Sequence, residues 1–252
     1  MKVRAIHPTF SLKLSLLAMM MLCLAAAHTQ AQKNILKSNQ VWLHSYHEGR
    51  ISEKWTILLD GGFRWRNGVE DKLAYIVRTG AGYSISPRLR LGGGFANLGV
   101  YAGNSVVRRE YRPYQELLFK DQLGKLNLSH RLRVEERFFK DLALDFATVD
   151  FNFRFRYAFS VGIPLARLSK KDPQRKIILN LGDEIFINAG KDIGHSIFDQ
   201  NRLILSPTLQ WNKALSVSFT YNSQFAGTPQ PETYLKSHIA WLQIRHNLDF
   251  SN

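Results

Sequence analysis

Twelve arginines fall on one parity of short alternating segments: Arg64, Arg66, Arg78, Arg90, Arg112, Arg131, Arg133, Arg137, Arg154, Arg156, Arg202 and Arg245. Four carboxylates share that parity, Glu116, Glu135, Asp150 and Glu184. A guanidinium is a planar fork that meets a carboxylate through two parallel hydrogen bonds, so these residues can build ion-paired ladders. Arginines outnumber the acids about three to one, which leaves cations over for water, phosphate or a transient anion. Other chemistry has less to work with. A serine nucleophile needs a histidine on the same face and an acid to orient it. Ser129 and His130, like Ser237 and His238, are chain neighbours and point to opposite faces of a strand. The eight histidines form no spacing that sets three on one face, so no metal site is expected. Gly92, Gly93 and Gly94 precede no helix; they serve to bend the wall or to make room for arginine side chains rather than to cradle phosphate. No catalytic, cofactor or metal residues are assigned.

The elements that position the arginines are strands. In TVDFNFRFRYAFSVGI, Val149, Phe151, Phe153, Phe155, Tyr157, Phe159, Val161 and Ile163 share one parity, and Asp150, Asn152, Arg154, Arg156, Ser160 and Gly162 the other. Period-two alternation of this kind recurs about ten times, with no helical pattern to cover the apolar face. Residues such as Trp55, Ile57, Leu59, Phe63, Trp65, Leu89, Leu91, Phe95, Leu215, Val217, Phe219, Tyr221 and Phe225 are therefore expected to face lipid, and the arginines a lumen. Arginine or lysine facing lipid at mid-depth costs ~2–4 kcal/mol, which fixes that assignment. A β-sandwich also alternates, but its second face would not carry this much charge. His130, Glu136, Asp183 and His246 break the outward pattern; a bulge at Gly182 that redirects Asp183 is the simplest account of that one.

The strands are expected at 40–47, 54–66, 72–84, 88–100, 108–119, 126–138, 148–163, 176–188, 199–211, 214–225 and 236–250. Most reach the 9 to 11 residues of a tilted membrane strand. Tight turns alternate with longer polar connections, the basic stretch 164–175 excepted. The fold class is thus all-β, an antiparallel transmembrane β-barrel of about 10 to 12 strands. Single-chain bacterial barrels have an even count. Starting at Lys54 gives ten strands, with QVWLHSYH either half of an extra pair or a segment packed on the barrel.

Residues 1–31 read as a signal peptide that is removed, leaving 32–252 as one barrel domain. Lys2, Arg4 and Lys13 start it, an apolar run extends from Leu14 to Ala27, and Thr29, Gln30 and Ala31 form the cleavage site. The one cysteine, Cys23, leaves with that segment, so the mature chain holds no disulfide. Its net charge falls from +14 to 31 minus 20, or +11. The arginines are spread through the strands and not gathered in a stripe, which argues against nucleic acid as a partner.

The blocks SHRLRVEERF (Ser129 to Phe138), NFRFRY, LGDEIFIN (Leu181 to Asn188) and FDQNRL (Phe198 to Leu203), in that order, resemble the uncharacterised domain-of-unknown-function family 2490, predicted bacterial outer-membrane barrels. Asp183 stands where the resemblance implies Asn before Glu184. The resemblance implies fold and an outer-membrane location, and transfers no functional residue. His246, Leu248 and Phe250 alternate into a terminal aromatic, similar to end strands that barrel assembly machinery recognises. Outer-membrane lipids and lipopolysaccharide are the other expected partners. Eight strands are just filled by side chains and sixteen leave a channel, so ten to twelve with bulky arginines should be plugged or narrowly open. A mostly closed structural or interaction barrel is expected first, a narrow anion-favouring pore second, and a lipid-modifying enzyme third.

Overall fold

Alternating apolar and polar residues fix eleven consecutive strands: β1 (Asn34–Arg50), β2 (Trp55–Arg66), β3 (Asp71–Ser84), β4 (Leu89–Ala102), β5 (Ser105–Leu123), β6 (Leu126–Asp141), β7 (Val149–Arg167), β8 (Lys176–Ala189), β9 (Phe198–Gln210), β10 (Leu215–Gly227) and β11 (Thr233–Asp249). The computed structural model describes residues 33–142, 149–191, 193 and 196–251. The chain divides into Met1–Asn34 and the barrel unit Ile35–Asn252. The expected signal peptide, 1–31, lies outside the described residues.

Each strand pairs antiparallel with the next, and β1 meets β11 to close the barrel. An odd count forces that last pair to run parallel. Side-chain contacts across the seam agree: Trp42 packs on Trp241, His47 on His246, and Arg50 approaches Asp249. The differences 241 − 42, 246 − 47 and 249 − 50 are all 199, so both chains advance in one direction. The expectation of an even count is therefore corrected, and the 40–47 run is the middle of a full strand. A parallel ladder is slightly weaker per residue, but closure leaves neither terminal strand with an unpaired edge. The chain thus enters at one rim, here the N-terminal rim, and leaves at the other, the C-terminal rim.

The outer surface is apolar: Trp55, Ile57, Leu59 and Phe63 on β2, Phe155 on β7, Leu203 and Leu205 on β9 and Phe219 on β10 are exposed. At the C-terminal rim Trp55 faces Tyr83 with ring centroids 5.1 Å apart, and Arg175 lies 4.0 Å over Trp211. Outward polar residues find cross-strand partners. His130 Nδ1 meets the Tyr157 hydroxyl at 2.9 Å, Gln115 donates to Glu136 at 3.3 Å, and His246 stacks on His47. Asp183 accepts from Asn201 Nδ2 at 2.5 Å. No bulge redirects it: pairing of β8 with both neighbours runs unbroken through Gly182 and Asp183, and the shifts fall at Pro164/Ala166 and Phe186/Ile187. The Asn201 amide satisfies the carboxylate, so the strand need not distort.

Candidate functional site

Inward parity brings two aromatic side chains, Trp42 of β1 and Phe186 of β8, into the middle of the lumen, where both are buried. Arginines stack on them. Arg64 lies 4.1 Å from the Trp42 ring centroid, Arg156 4.4 Å from Phe186, and Arg202 between the two at 5.3 and 4.7 Å. A guanidinium over a desolvated aromatic face gains up to ~2 kcal/mol, so the stack holds itself in place. It forms a septum. A cavity of about 560 Å³ opens toward the C-terminal rim and one of about 320 Å³ toward the N-terminal rim, and Trp42, Arg64, Arg78, Arg156 and Arg202 line both.

Carboxylates brace the septum, each shared between strands. Glu135 of β6 accepts from Arg154 and Arg156 of β7, both at 2.5 Å. Glu184 of β8 takes Arg131 at 2.7 Å and Arg156 at 2.6 Å, with Arg202 at 3.8 Å. Asp199 of β9 reaches across β8 to Arg154 at 3.0 Å. Glu110 bonds Arg112 and, at 2.5 Å, Arg137; Glu116 bonds Arg133 at 2.6 Å. Asp60 takes Arg78 at 2.8 Å, and Glu48 takes Arg90 at 3.0 Å and Arg245 at 3.9 Å. Room for this comes from facing glycines. Gly80 and Gly94 are register partners, and a Cβ on either would lie 2.7 Å from the Tyr114 hydroxyl; one on Gly92 would lie 3.2 Å from the Glu116 side chain. The glycines at 92 and 94 make room for Tyr114 and Glu116, not for arginine.

The structure gathers ten of the twelve arginines into ion pairs along the lumen and sets Arg64 in the septum without a carboxylate partner among the described residues; Arg66 is exposed at the end of β2 and joins neither. The ten are Arg78, Arg90, Arg112, Arg131, Arg133, Arg137, Arg154, Arg156, Arg202 and Arg245. Asp150 stands at the rim, exposed, 3.8 Å from Arg108. Glu116, Glu135 and Glu184 sit in the ladder, joined by four acids that the parity reading passed over: Glu48, Asp60, Glu110 and Asp199. Asp60 and Glu110 share the parity of Arg64 and Arg112, so the signal was there; Glu48 and Asp199 lie near strand ends. With Arg64, eleven arginines face seven carboxylates, a smaller excess than three to one.

Part of the lumen wall on β8 to β11 is neutral. Ser206 bonds Thr220 at 2.6 Å, Thr208 bonds Ser218 at 2.8 Å and Asn180 at 2.9 Å, and Gln243 donates to Thr220 at 2.8 Å. On the outer face Ser45 Oγ lies 2.8 Å from His47 Nε2, a same-face pair two residues apart. Among the described residues no carboxylate orients that histidine, and no cluster of three metal-ligating side chains occurs.

A family model described as a protein of unknown function, DUF2490, matches residues 39–234. Among solved structures, the NanC porin in a rhombohedral crystal form matches with a TM-score of 0.43 and 12% identity, covering 74% of this chain and 86% of that chain. Among curated proteins there is no match.

Proposed function

For a chain that belongs to the DUF2490 family, we propose an outer-membrane barrel whose lumen is closed by its own side chains and whose role is structural or interactive. The septum of Trp42, Phe186 and their stacked arginines carries this reading. Exposed aromatic and aliphatic residues on every strand face the solvent that suits them only if that solvent is lipid; a monomer in water rarely exposes so large an apolar surface. The rim pair Trp55 and Tyr83 suits the headgroup boundary. Outer-membrane lipids and lipopolysaccharide are then the contacts of the wall, and barrel assembly machinery acts on the chain during insertion.

The test is conductance in planar bilayers, on refolded protein shown to be a barrel by its shifted gel mobility before boiling. Closed behaviour with rare, brief openings is expected. Steady channels overturn the reading in favour of a narrow pore, which the excess of eleven arginines over seven carboxylates would make anion-selective. A lipid-modifying activity draws support only from the Ser45–His47 contact, which lacks the acid of a triad.

A further inference from the structure

The cavity toward the C-terminal rim has two unlike walls. One is cationic. Glu48 is divided between Arg90 and Arg245, Glu184 among Arg131, Arg156 and Arg202, and Lys120 faces the same space with no ion pair among the described residues. Arg64 sits at its floor with its Nε buried and without a hydrogen-bond partner. Cations drawn out of water without matching anions cost several kcal/mol each, so this wall favours an anionic occupant. The facing wall carries Asn180, Thr208, Ser218 and Gln243, neutral groups that donate and accept. Trp241 lies beside them with its Nε1 buried and unpartnered. A volume of about 560 Å³ falls within the range of small-molecule sites.

We propose that this cavity binds a small polyhydroxylated anion, its acid group on the arginine and lysine wall and its hydroxyls on the serine, threonine and amide wall. A simple inorganic anion would use one wall and leave the other idle. A neutral polyol would leave the cation surplus uncompensated. The site needs the closed barrel and is independent of whether the septum conducts, so its failure and that of the closed-lumen reading are separate results.

The full chain refolded in detergent, with barrel mobility checked by gel, is titrated with glucuronate, glucose and acetate at low salt. Intrinsic fluorescence reports binding because Trp42 and Trp241 border the cavity; calorimetry gives a second readout. Glucuronate should bind saturably, with glucose and acetate each at least tenfold weaker. Lys120→Gln combined with Arg245→Gln should weaken glucuronate at least tenfold, and Ser218→Ala with Thr208→Val at least threefold. Lys120 is exposed and Arg245 half-exposed, so the charge variant should keep the barrel; if it does not, Lys120→Gln alone is read. No saturable glucuronate signal, glucose or acetate binding as tightly, or unchanged affinity in the charge variant would each overturn the proposal.

Discussion

Replacing Glu116 with Gln removes one charge from the most self-contained ion pair of the lumen. Glu116 on β5 and Arg133 on β6 are direct register partners, and Oε2 accepts from Arg133 Nε at 3.1 Å and Nη2 at 2.6 Å. Their side chains are only 5% and 7% exposed, so the pair is desolvated. Glutamine keeps the shape, but it leaves Arg133 with Glu135 at 3.9 Å as its remaining carboxylate. Removing one partner of a buried pair costs ~3–5 kcal/mol. The Tyr114 ring, 4.3 Å from the guanidinium, stays in place and offsets ~1 kcal/mol of that. The expected loss is therefore about 3 kcal/mol, at the low end of that range. Glu48→Gln is the control, since Glu48 and Arg90 are 28% and 16% exposed, and it should cost about 1 kcal/mol or less. Glu116→Leu with Arg133→Met should recover most of the loss, because an apolar pair leaves no charge stranded. Urea titration of the refolded barrel, followed by tryptophan fluorescence and gel mobility, measures all three. Equal losses for Glu116→Gln and Glu48→Gln, or a loss under ~0.5 kcal/mol for the former, would refute the claim that burial decides what these pairs are worth.

Three further outcomes test other parts of the structure. Gly94→Ala drives a Cβ into the Thr79 carbonyl oxygen, so β3 and β4 must separate; a loss of ~1–3 kcal/mol is expected in the same titration, and Tyr114→Phe should not rescue it. An odd strand number puts the two ends of the barrel on opposite rims, so Ile35→Cys and Ser251→Cys should react with an impermeant maleimide from opposite faces of the membrane; labelling of both from one face would contradict the parallel β1–β11 seam. Trp42→Ala with Phe186→Ala removes the platform on which Arg64, Arg154, Arg156 and Arg202 stack and should raise single-channel conductance at least severalfold, whereas a silent variant would mean that the septum is not the barrier.

Which way each residue faces was legible because a strand has a period of exactly two, so a single secure position such as Phe155 or Arg156 fixes its neighbours. Glu184, Glu135 and Arg154 follow from that rule alone. How the barrel closes was not, since alternation says nothing about the direction of the neighbouring strand: β1 reads the same beside a parallel or an antiparallel partner. Strand ends were the other blind spot. Glu48 and Asp199 lie within three residues of the ends of β1 and β9, where period-two patterns give way to turn chemistry. Asp183 shows the opposite error, a polar residue on the lipid-type face whose partner, Asn201, is adjacent only in the folded sheet.

The braces also explain why arginine and not lysine or leucine fills this barrel. Eight strands enclose a lumen that side chains just fill, so eleven leave a wider cross-section for them to span. A guanidinium reaches past the adjacent strand, as Arg154 of β7 does to Asp199 of β9, and has enough donors to serve two acceptors at once. Arg156 uses both, joining Glu135 of β6 at 2.5 Å to Glu184 of β8 at 2.6 Å, and Arg154 links Glu135 to Asp199 of β9. These ties connect strands that are not hydrogen-bonded neighbours, so they fix the cross-section in a way the sheet ladder cannot. Most of them sit on β5 to β9, with Asp60–Arg78 on β2 and β3 and Glu48–Arg245 between β1 and β11, and the inward side of β10 is left to hydroxyl and amide groups. The lumen field is therefore lopsided. The cavity at the C-terminal rim accordingly presents positive charge on one side and hydroxyls on the other, above Trp42.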